Sequence, residues 1–519
     1  MVNNNNIQEI WKPTINPWHA VVPIILAIFM FALDETISNV ALTYIAGSMS
    51  VSLNESTWVL TSYLIASGIA IPLVGFMSKL LGRKNYFIIC LIVFTLSSFM
   101  CAISHSMIEI VLSRFLQGLG GGGLLPLGQA IMMENFEPKD RPKSMALFGI
   151  AIVFAPLLGP ILGGWITENW SWPWIYLINI PLGFICVYLS HQLLEDPPYA
   201  KKQKNVKVDV WGLIFLVGWL VTLQIVLDKG NDEDWFGSVW ICKLTAISII
   251  CAIAFFIVQV KNKDSLIDLS ILKDKTYFFG TFIQVILMGV FLASAALLPT
   301  MLQRLLGYTA YLSGLSMGAR GIGSIIGLIT YLTISRFIGD RRVAMIGLGS
   351  LGFGSLYFGM ISLQINLGTI ALPNMMYGAG IFLALTPLIP LSLSTTPNEG
   401  MTNASGLQNL VKNIGGAIGT SISTTMVARF TQVHQNMLTN HLNFTNDFFV
   451  EKINSATQYL STYMDIGTAQ NLAYGQIYSE LIQQSTLWAY IDTFRWFALA
   501  TFILIPLLVF IKKPKNVYN

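Results

Sequence analysis

The chain has 519 residues, 54% of them hydrophobic and 11% charged, with a net charge of +4 and a mean hydropathy of +0.64. Soluble domains carry about 25% charged residues, so this composition excludes a soluble enzyme or nucleic-acid-binding domain and points to a polytopic membrane protein. A membrane helix needs roughly 20 apolar residues. The apolar runs are too long for barrel strands, and at lipid depth each span must satisfy its own backbone, so the spans are helices.

The pattern predicts fourteen helices, at about 18–43, 57–78, 86–104, 108–132, 145–167, 174–194, 208–228, 239–261, 277–302, 312–336, 342–364, 368–393, 402–428 and 490–512. The Asn-rich start, Asn3 to Asn6, lacks the basic region of a cleaved secretory signal, and the first apolar run is too long for one. That first run contains Leu33-Asp34-Glu35-Thr36-Ile37-Ser38-Asn39-Val40-Ala41-Leu42. A carboxylate at membrane depth costs at least about 2.5–3.5 kcal/mol and persists where it faces a cavity or a partner. Adjacent helical residues point about 100° apart, so Asp34 and Glu35 face different surroundings. The pair is the leading candidate for proton coupling, with a role in helix packing as the plainer reading.

Trp58 and Tyr63 on the second segment, with Gln117 and Gln129 on the fourth, are candidates to line a substrate cavity. The fourth segment also carries Arg114, followed by Gln117-Gly118-Leu119-Gly120-Gly121-Gly122-Gly123. A guanidinium stays charged in the bilayer and needs an anionic or carbonyl partner. Asp34 is the expected one, so Arg114 joins the proton-coupling set. The fifth segment reads Ala155-Pro156-Leu157-Leu158-Gly159-Pro160-Ile161-Leu162-Gly163-Gly164. Two prolines favour a bend, and Gly159, Gly163 and Gly164 favour a close-packed neighbour. Further along, Arg320 and Lys412 are intramembrane cations, with Glu399 or carbonyls as expected partners and substrate contact as a candidate role. Asp492 and Arg495, three residues apart, read as a local pair.

Loop charges orient the bundle. The N-terminus and the loops after even-numbered segments hold Lys12; Lys79, Arg83, Lys84; Lys139, Arg141, Lys143; Lys201, Lys202, Lys204, Lys207; Lys261, Lys263, Lys273, Lys275; Arg336, Arg341, Arg342; and Lys512, Lys513, Lys515. The opposite side holds only Lys229, Arg304, Arg429 and Lys452. By the positive-inside rule both termini are expected in the cytoplasm. The basic run near 201–207 reads as lying at anionic lipid headgroups; no nucleic-acid surface is present.

The chain also repeats itself. Lys79-Leu80-Leu81-Gly82-Arg83-Lys84 after the second segment returns as Arg336-Phe337-Ile338-Gly339-Asp340-Arg341-Arg342 after the tenth. The glycines of the fifth segment return in the thirteenth as Gly415, Gly416 and Gly419. Two matches in register imply an N-terminal six-helix half (1–194), a linker with a two-helix insertion (195–276) and a C-terminal six-helix half (277–519), the repeated architecture of secondary transporters. The polar stretch 429–489 is expected to form an external, partly helical excursion. The five cysteines and five histidines show no metal or disulfide spacing.

These motifs give the chain a specific resemblance. It is similar to the major facilitator superfamily and, within it, to the fourteen-helix drug:proton antiporter-2 family of EmrB/QacA type. Leu33 to Leu42 resembles that family's LDxTIVNVAL; Arg114, Gln117, Gly118 and Gly120 match RxxQGxG; Gly159-Pro160-Ile161-Leu162-Gly163-Gly164 matches the antiporter motif GPxxGG; Trp172 to Gly183 resembles WRWIFxINxPxG. Gly75, Gly82, Arg83 and Lys84 fall on the family's conformational loop, where Lys79 stands in the place of a frequent Asp. The resemblance implies an all-α major facilitator fold in the inner membrane. It further implies a secondary efflux transporter, not an enzyme, that exports hydrophobic or amphipathic toxic compounds by alternating access. Its energy source would be the proton gradient, with no cofactor and no metal. In a Gram-negative host it implies an EmrA-like periplasmic adaptor and an outer-membrane channel, with 429–489 as the candidate contact. An exporter of one native metabolite, a fatty acid or a siderophore, is the alternative on the same scaffold. A membrane-embedded enzyme or receptor is remote, since no phosphate loop, catalytic triad or metal motif is present.

Overall fold

The computed structural model describes residues 13–137, 140–198, 209–261, 268–397, 400–440, 442–443 and 445–511. Among them the regular structure is entirely helical. In chain order the α-helices are α1 Pro17–Met49, α2 Leu53–Ser56, α3 Trp58–Leu81, α4 Arg83–Ala102, α5 Met107–Asn135, α6 Arg141–Asn169, α7 Trp174–Leu177, α8 Asn179–Leu193, α9 Val210–Lys229, α10 Val239–Lys261, α11 Lys275–Thr300, α12 Ala310–Ile338, α13 Asp340–Phe358, α14 Leu367–Leu393, α15 Met401–Thr439, α16 Asp447–Leu460 and α17 Ile466–Leu507. Each of the fourteen predicted segments carries a long helix, the sixth being α7 and α8 in succession. Among the described residues, eleven helices are long and apolar enough to cross a membrane. Polar caps set several starts: the Asn16, Ser106, Asp209, Asp274, Thr309 and Asn366 side chains accept orphan backbone N–H groups of the first turn.

The helix pairs repeat. In the first half α1 packs on α6, α3 on α5, and α4 on α5 and α8; in the second α11 packs on α15, α12 on α14, and α13 on α14 and α17. The repeated loop has the same backbone in both copies: Gly82 has φ 84°, ψ 150° and Gly339 has φ 81°, ψ 152°. That region is open essentially to glycine alone, which is why the motif keeps it. The small-residue pattern repeats in space as well. A Cβ on Gly159 would strike the Thr36 hydroxyl and one on Gly163 the Ile37 carbonyl, so α6 lies against α1; Gly415 and Gly419 place α15 against Val285 and Gly289 of α11 in the same way. Gly164 does not share this role: a Cβ there would meet open space. The next residue has simply rotated off the contact face. α6 runs unbroken past 156 and 160, whose proline side chains lie outside the described residues.

Two boundaries differ from the sequence reading. α15 continues to Thr439, and α17 begins at Ile466 rather than near 490. The stretch 429–489 is therefore largely helix, with α16 folded onto the extended start of α17. Hydropathy does not detect such polar helices, yet Ala469, Ala473, Ile477 and Leu481 form a buried stripe at a four-residue spacing.

The insertion helices α9 and α10 pack on each other, and α9 touches both halves. Asp228 accepts from the Thr61 hydroxyl of α3 at 2.8 Å, and the Leu227 carbonyl accepts from Ser421 of α15 at 2.8 Å.

The halves meet at the end of the bundle that carries the Gly82 and Gly339 turns. Ala146 of α6 joins Tyr331, Val343, Phe382 and Leu383 in one apolar cluster. Gly75 of α3 lies against Asn403 of α15 so closely that a Cβ would overlap it. At the other end, the cluster around Ile37, Ala41, Ile45 and Tyr176 is built from the first half alone.

Candidate functional site

Two of the charges that the sequence placed at membrane depth converge. Asp34 of α1 and Arg114 of α5 are both fully buried. Nη1 of Arg114 donates to Asp34 Oδ2 at 2.5 Å and to Gln117 Oε1 at 2.8 Å, and Nε donates to the Val59 carbonyl at 3.2 Å. The guanidinium carbon lies 4.1 Å from the centre of the Tyr63 ring and 5.5 Å from that of Tyr176, within cation–π range. The other carboxylate oxygen, Oδ1, accepts from Gln117 Nε2 at 2.9 Å and Asn179 Nδ2 at 2.7 Å. Asn179 is steadied in turn by donating to Ser98 Oγ at 3.0 Å. Two amide donors and a fixed cation thus hold Asp34. Its protonation would remove the charge attraction for Arg114 and weaken one of the contacts between α1 and α5.

Glu35 is placed differently. One residue on, it is half-buried and makes no hydrogen bond or ion pair among the described residues. Tyr63 and Gln117 belong to the walls of the ion cluster rather than to an open cavity. Trp58 stands half-buried at the first residue of α3, next to the Val59 carbonyl that Arg114 uses. Asn179, Tyr176 and Ser98 complete the cluster, although nothing in the hydropathy pattern singles them out. The one available signal for Asn179 was its place in the stretch Trp172 to Gly183.

Gln129 lies elsewhere, in the seam between halves. It donates to Gln408 Oε1 at 2.9 Å and accepts from Asn409 Nδ2 at 2.8 Å, both on α15. Gln408 donates onward to Ser392 Oγ at 2.6 Å, which also accepts from Gln284 Nε2 at 3.2 Å. This chain of amides links α5, α15, α14 and α11 across the closed end. Beside it the conformational loop is fastened. Arg83 pairs with Glu134 at the end of α5, and Lys84 donates its backbone N–H to Asp196 at 2.8 Å and its ammonium to the His191 carbonyl at 2.6 Å.

Arg320 and Lys412 are buried as well. Arg320 donates to Asn374 Oδ1 at 3.2 Å and Ser294 Oγ at 3.4 Å; Lys412 makes no hydrogen bond or ion pair among the described residues. Glu399, Lys12, Lys139, the lysines at 201–207 and those at 512–515 lie outside the described residues. The Asp492–Arg495 pair forms at 3.2 Å. No group of His, Cys, Asp and Glu suited to a metal occurs among the described residues.

Residues 24–420 match the Major Facilitator Superfamily. The chain is 34% identical to the probable multidrug resistance protein EmrY of Escherichia coli over 507 residues, covering 96% of this chain and 95% of that one. It is 33% identical to the multidrug export protein EmrB of the same organism over 496 residues, 94% of each. Among solved structures, the human organic anion transporter MFSD10 (TETRAN) superposes with a TM-score of 0.61 at 14% identity, covering 96% of this chain and 100% of that one; at that identity the likeness carries the fold alone.

Proposed function

This chain belongs to the Major Facilitator Superfamily and to its EmrB-type multidrug transporters, and from that premise we propose that its efflux is driven by proton antiport through the Asp34–Glu35–Arg114 cluster. It is a multi-pass membrane protein that exports small lipophilic compounds. The observation that carries the coupling is the Arg114–Asp34 pair, fully buried and joining two helices of one half.

Glu35, half-buried and free of donors among the described residues, is the group that first accepts an incoming proton. Transfer to Asp34 then releases Arg114, and α5 moves relative to α1. The Gly159 and Gly163 contact lets α6 slide against α1 during that motion. The basic loops put the Gln129–Gln408 seam on the cytoplasmic side. The closed end is then cytoplasmic and the described state outward-facing, with protons loading and substrate leaving from the same face. The halves 1–194 and 277–519 rock so that the seam opens toward the cytoplasm, and α9 of the insertion docks on Thr61 and Ser421.

In a two-membrane host the helical excursion 429–489 is the contact for an EmrA-like adaptor leading to an outer-membrane channel. Full recovery of the adaptor by a chain lacking that stretch would remove this part.

The antiport is tested in energised everted vesicles, by adding lipophilic compounds and following collapse of the pH gradient. Substrate-dependent collapse is expected. Silence across the whole panel, with the protein present and folded, would instead favour export of one native metabolite.

A further inference from the structure

The repeat places a second guanidinium cluster in the C-terminal half, and among the described residues it has no carboxylate partner. Counting back equally from Gly82 and Gly339 reaches Tyr63 on α3 and Arg320 on α12. Counting forward equally from the caps Ser106 and Asn366 pairs Arg114 with Asn374 and Gln117 with Tyr377, on α5 and α14. In the first half, the cation on α5 lies over a ring on α3. In the second, the cation on α12 lies over a ring on α14, with the Arg320 guanidinium carbon 4.9 Å from the Tyr377 centroid. The pair has been exchanged between helices.

The counter-charge has not been reproduced. Where α1 offers the Asp34 carboxylate, α11 offers the Ser294 hydroxyl, at 3.4 Å, and the Phe291 ring, its centre 5.6 Å from the guanidinium carbon. Asn374 supplies one neutral acceptor, and Nε of Arg320 is buried with no hydrogen-bond partner. No carboxylate lies within ion-pair distance of Arg320 among the described residues. A guanidinium cannot discharge itself by losing a proton, and at membrane depth such cations mark substrate or ion pathways. A polar stripe leads to it along α12: Ser313, Ser316, Arg320 and Ser324 share one buried face at helical spacing. At the Ala310 end of that stripe the Ser313 hydroxyl is itself buried and unpartnered.

We propose that Arg320, with Asn374, Ser294 and the Tyr377 ring, binds a monovalent anionic group, such as the carboxylate of an amphipathic substrate. The inference rests on the export reading and narrows it: the C-terminal half gives this exporter a site for lipophilic acids. A free inorganic anion shares the chemistry.

The test uses the full-length purified protein. Decanoate, decanol and decyltrimethylammonium are compared for binding and thermal stabilisation, in chloride and in gluconate buffer. Decanoate is expected to bind and stabilise where decanol does not, and Arg320→Gln to weaken decanoate by about 10–100-fold, the worth of a charged hydrogen-bond set, with decyltrimethylammonium unchanged. Stabilisation by chloride alone that Arg320→Gln abolishes would support the site with the inorganic ion as occupant. Undiminished decanoate binding in Arg320→Gln would overturn the proposal. If that variant does not fold, the native chain decides: equal response to decanoate and decanol, with none to chloride, overturns it. Export of decyltrimethylammonium by the native chain is measured in parallel, and its absence would count against the export reading rather than the anion site.

Discussion

Arg114→Met removes one partner of a fully buried ion pair. The variant leaves Asp34 with two amide donors, Gln117 and Asn179, and no cation. Breaking a buried pair from one side costs about 3–5 kcal/mol, because the remaining charge stays uncompensated. Loss of the contact with Tyr63 at 4.1 Å removes about 0.5–2 kcal/mol more. Asp34→Leu strands Arg114 in the same way, so it should cost a similar 3–5 kcal/mol. The double variant strands neither charge, and exchange of a buried pair for apolar groups is often neutral. The cycle therefore predicts a coupling energy of at least about 2 kcal/mol, above the usual scatter of about 0.3–0.5 kcal/mol for independent sites. Detergent-titrated unfolding of the four proteins reads it directly. Strictly additive losses, or a single loss below about 1 kcal/mol, would refute the claim that these two charges depend on each other. Transport should be lost in all three variants, including the restabilised double.

Gly419→Val should destabilise the C-terminal half by about 1–3 kcal/mol through overpacking, since its side chain would enter the space of Gly289, whereas Gly164→Ala should change thermal stability by under about 0.5 kcal/mol. Gln408→Ala leaves Gln129 and Ser392 short of a partner; it should shift the population away from the closed seam, read as faster labelling of a cysteine placed at Asn403, and unchanged labelling would argue against the seam as the gate. The Asp465 carboxyl caps α17 and is held below the usual carboxylate range by the backbone N–H and hydroxyl of Thr468. Its contribution is present above the unfolded value near pH 4 and is lost as the pH falls through the folded one, so hydrogen exchange in the first turns of α17 should quicken on acidification in the native chain and already be fast in Asp465→Ala.

What the sequence made legible follows the size of each physical signal. Twenty apolar residues in a row and clustered basic loops are large signals, and every predicted segment carries a helix. Asp34 and Arg114 stood out because a charge at membrane depth is rare, and Gly82 and Gly339 because a motif repeated in register. Asn179, Gln408 and Ser392 were not visible in the same way. A neutral amide or hydroxyl barely disturbs the hydropathy of its own helix, and its partner sits on another helix far along the chain. The polar helices of 429–489 were blurred for the opposite reason: their buried stripe is narrow and set among Asn, Gln and Thr. Gly164 was read with its neighbours because sequence adjacency suggests a shared role, while helical rotation separates them.

The most direct test of the coupling account compares the native chain, Asp34→Asn and Glu35→Gln in energised everted vesicles, following collapse of the pH gradient on addition of a lipophilic cation. The account predicts substrate-dependent collapse for the native chain, none for Asp34→Asn, and a response for Glu35→Gln that is slowed and recovers at lower pH on the proton-loading side. Full collapse in both variants would contradict the assignment of the proton path to this cluster.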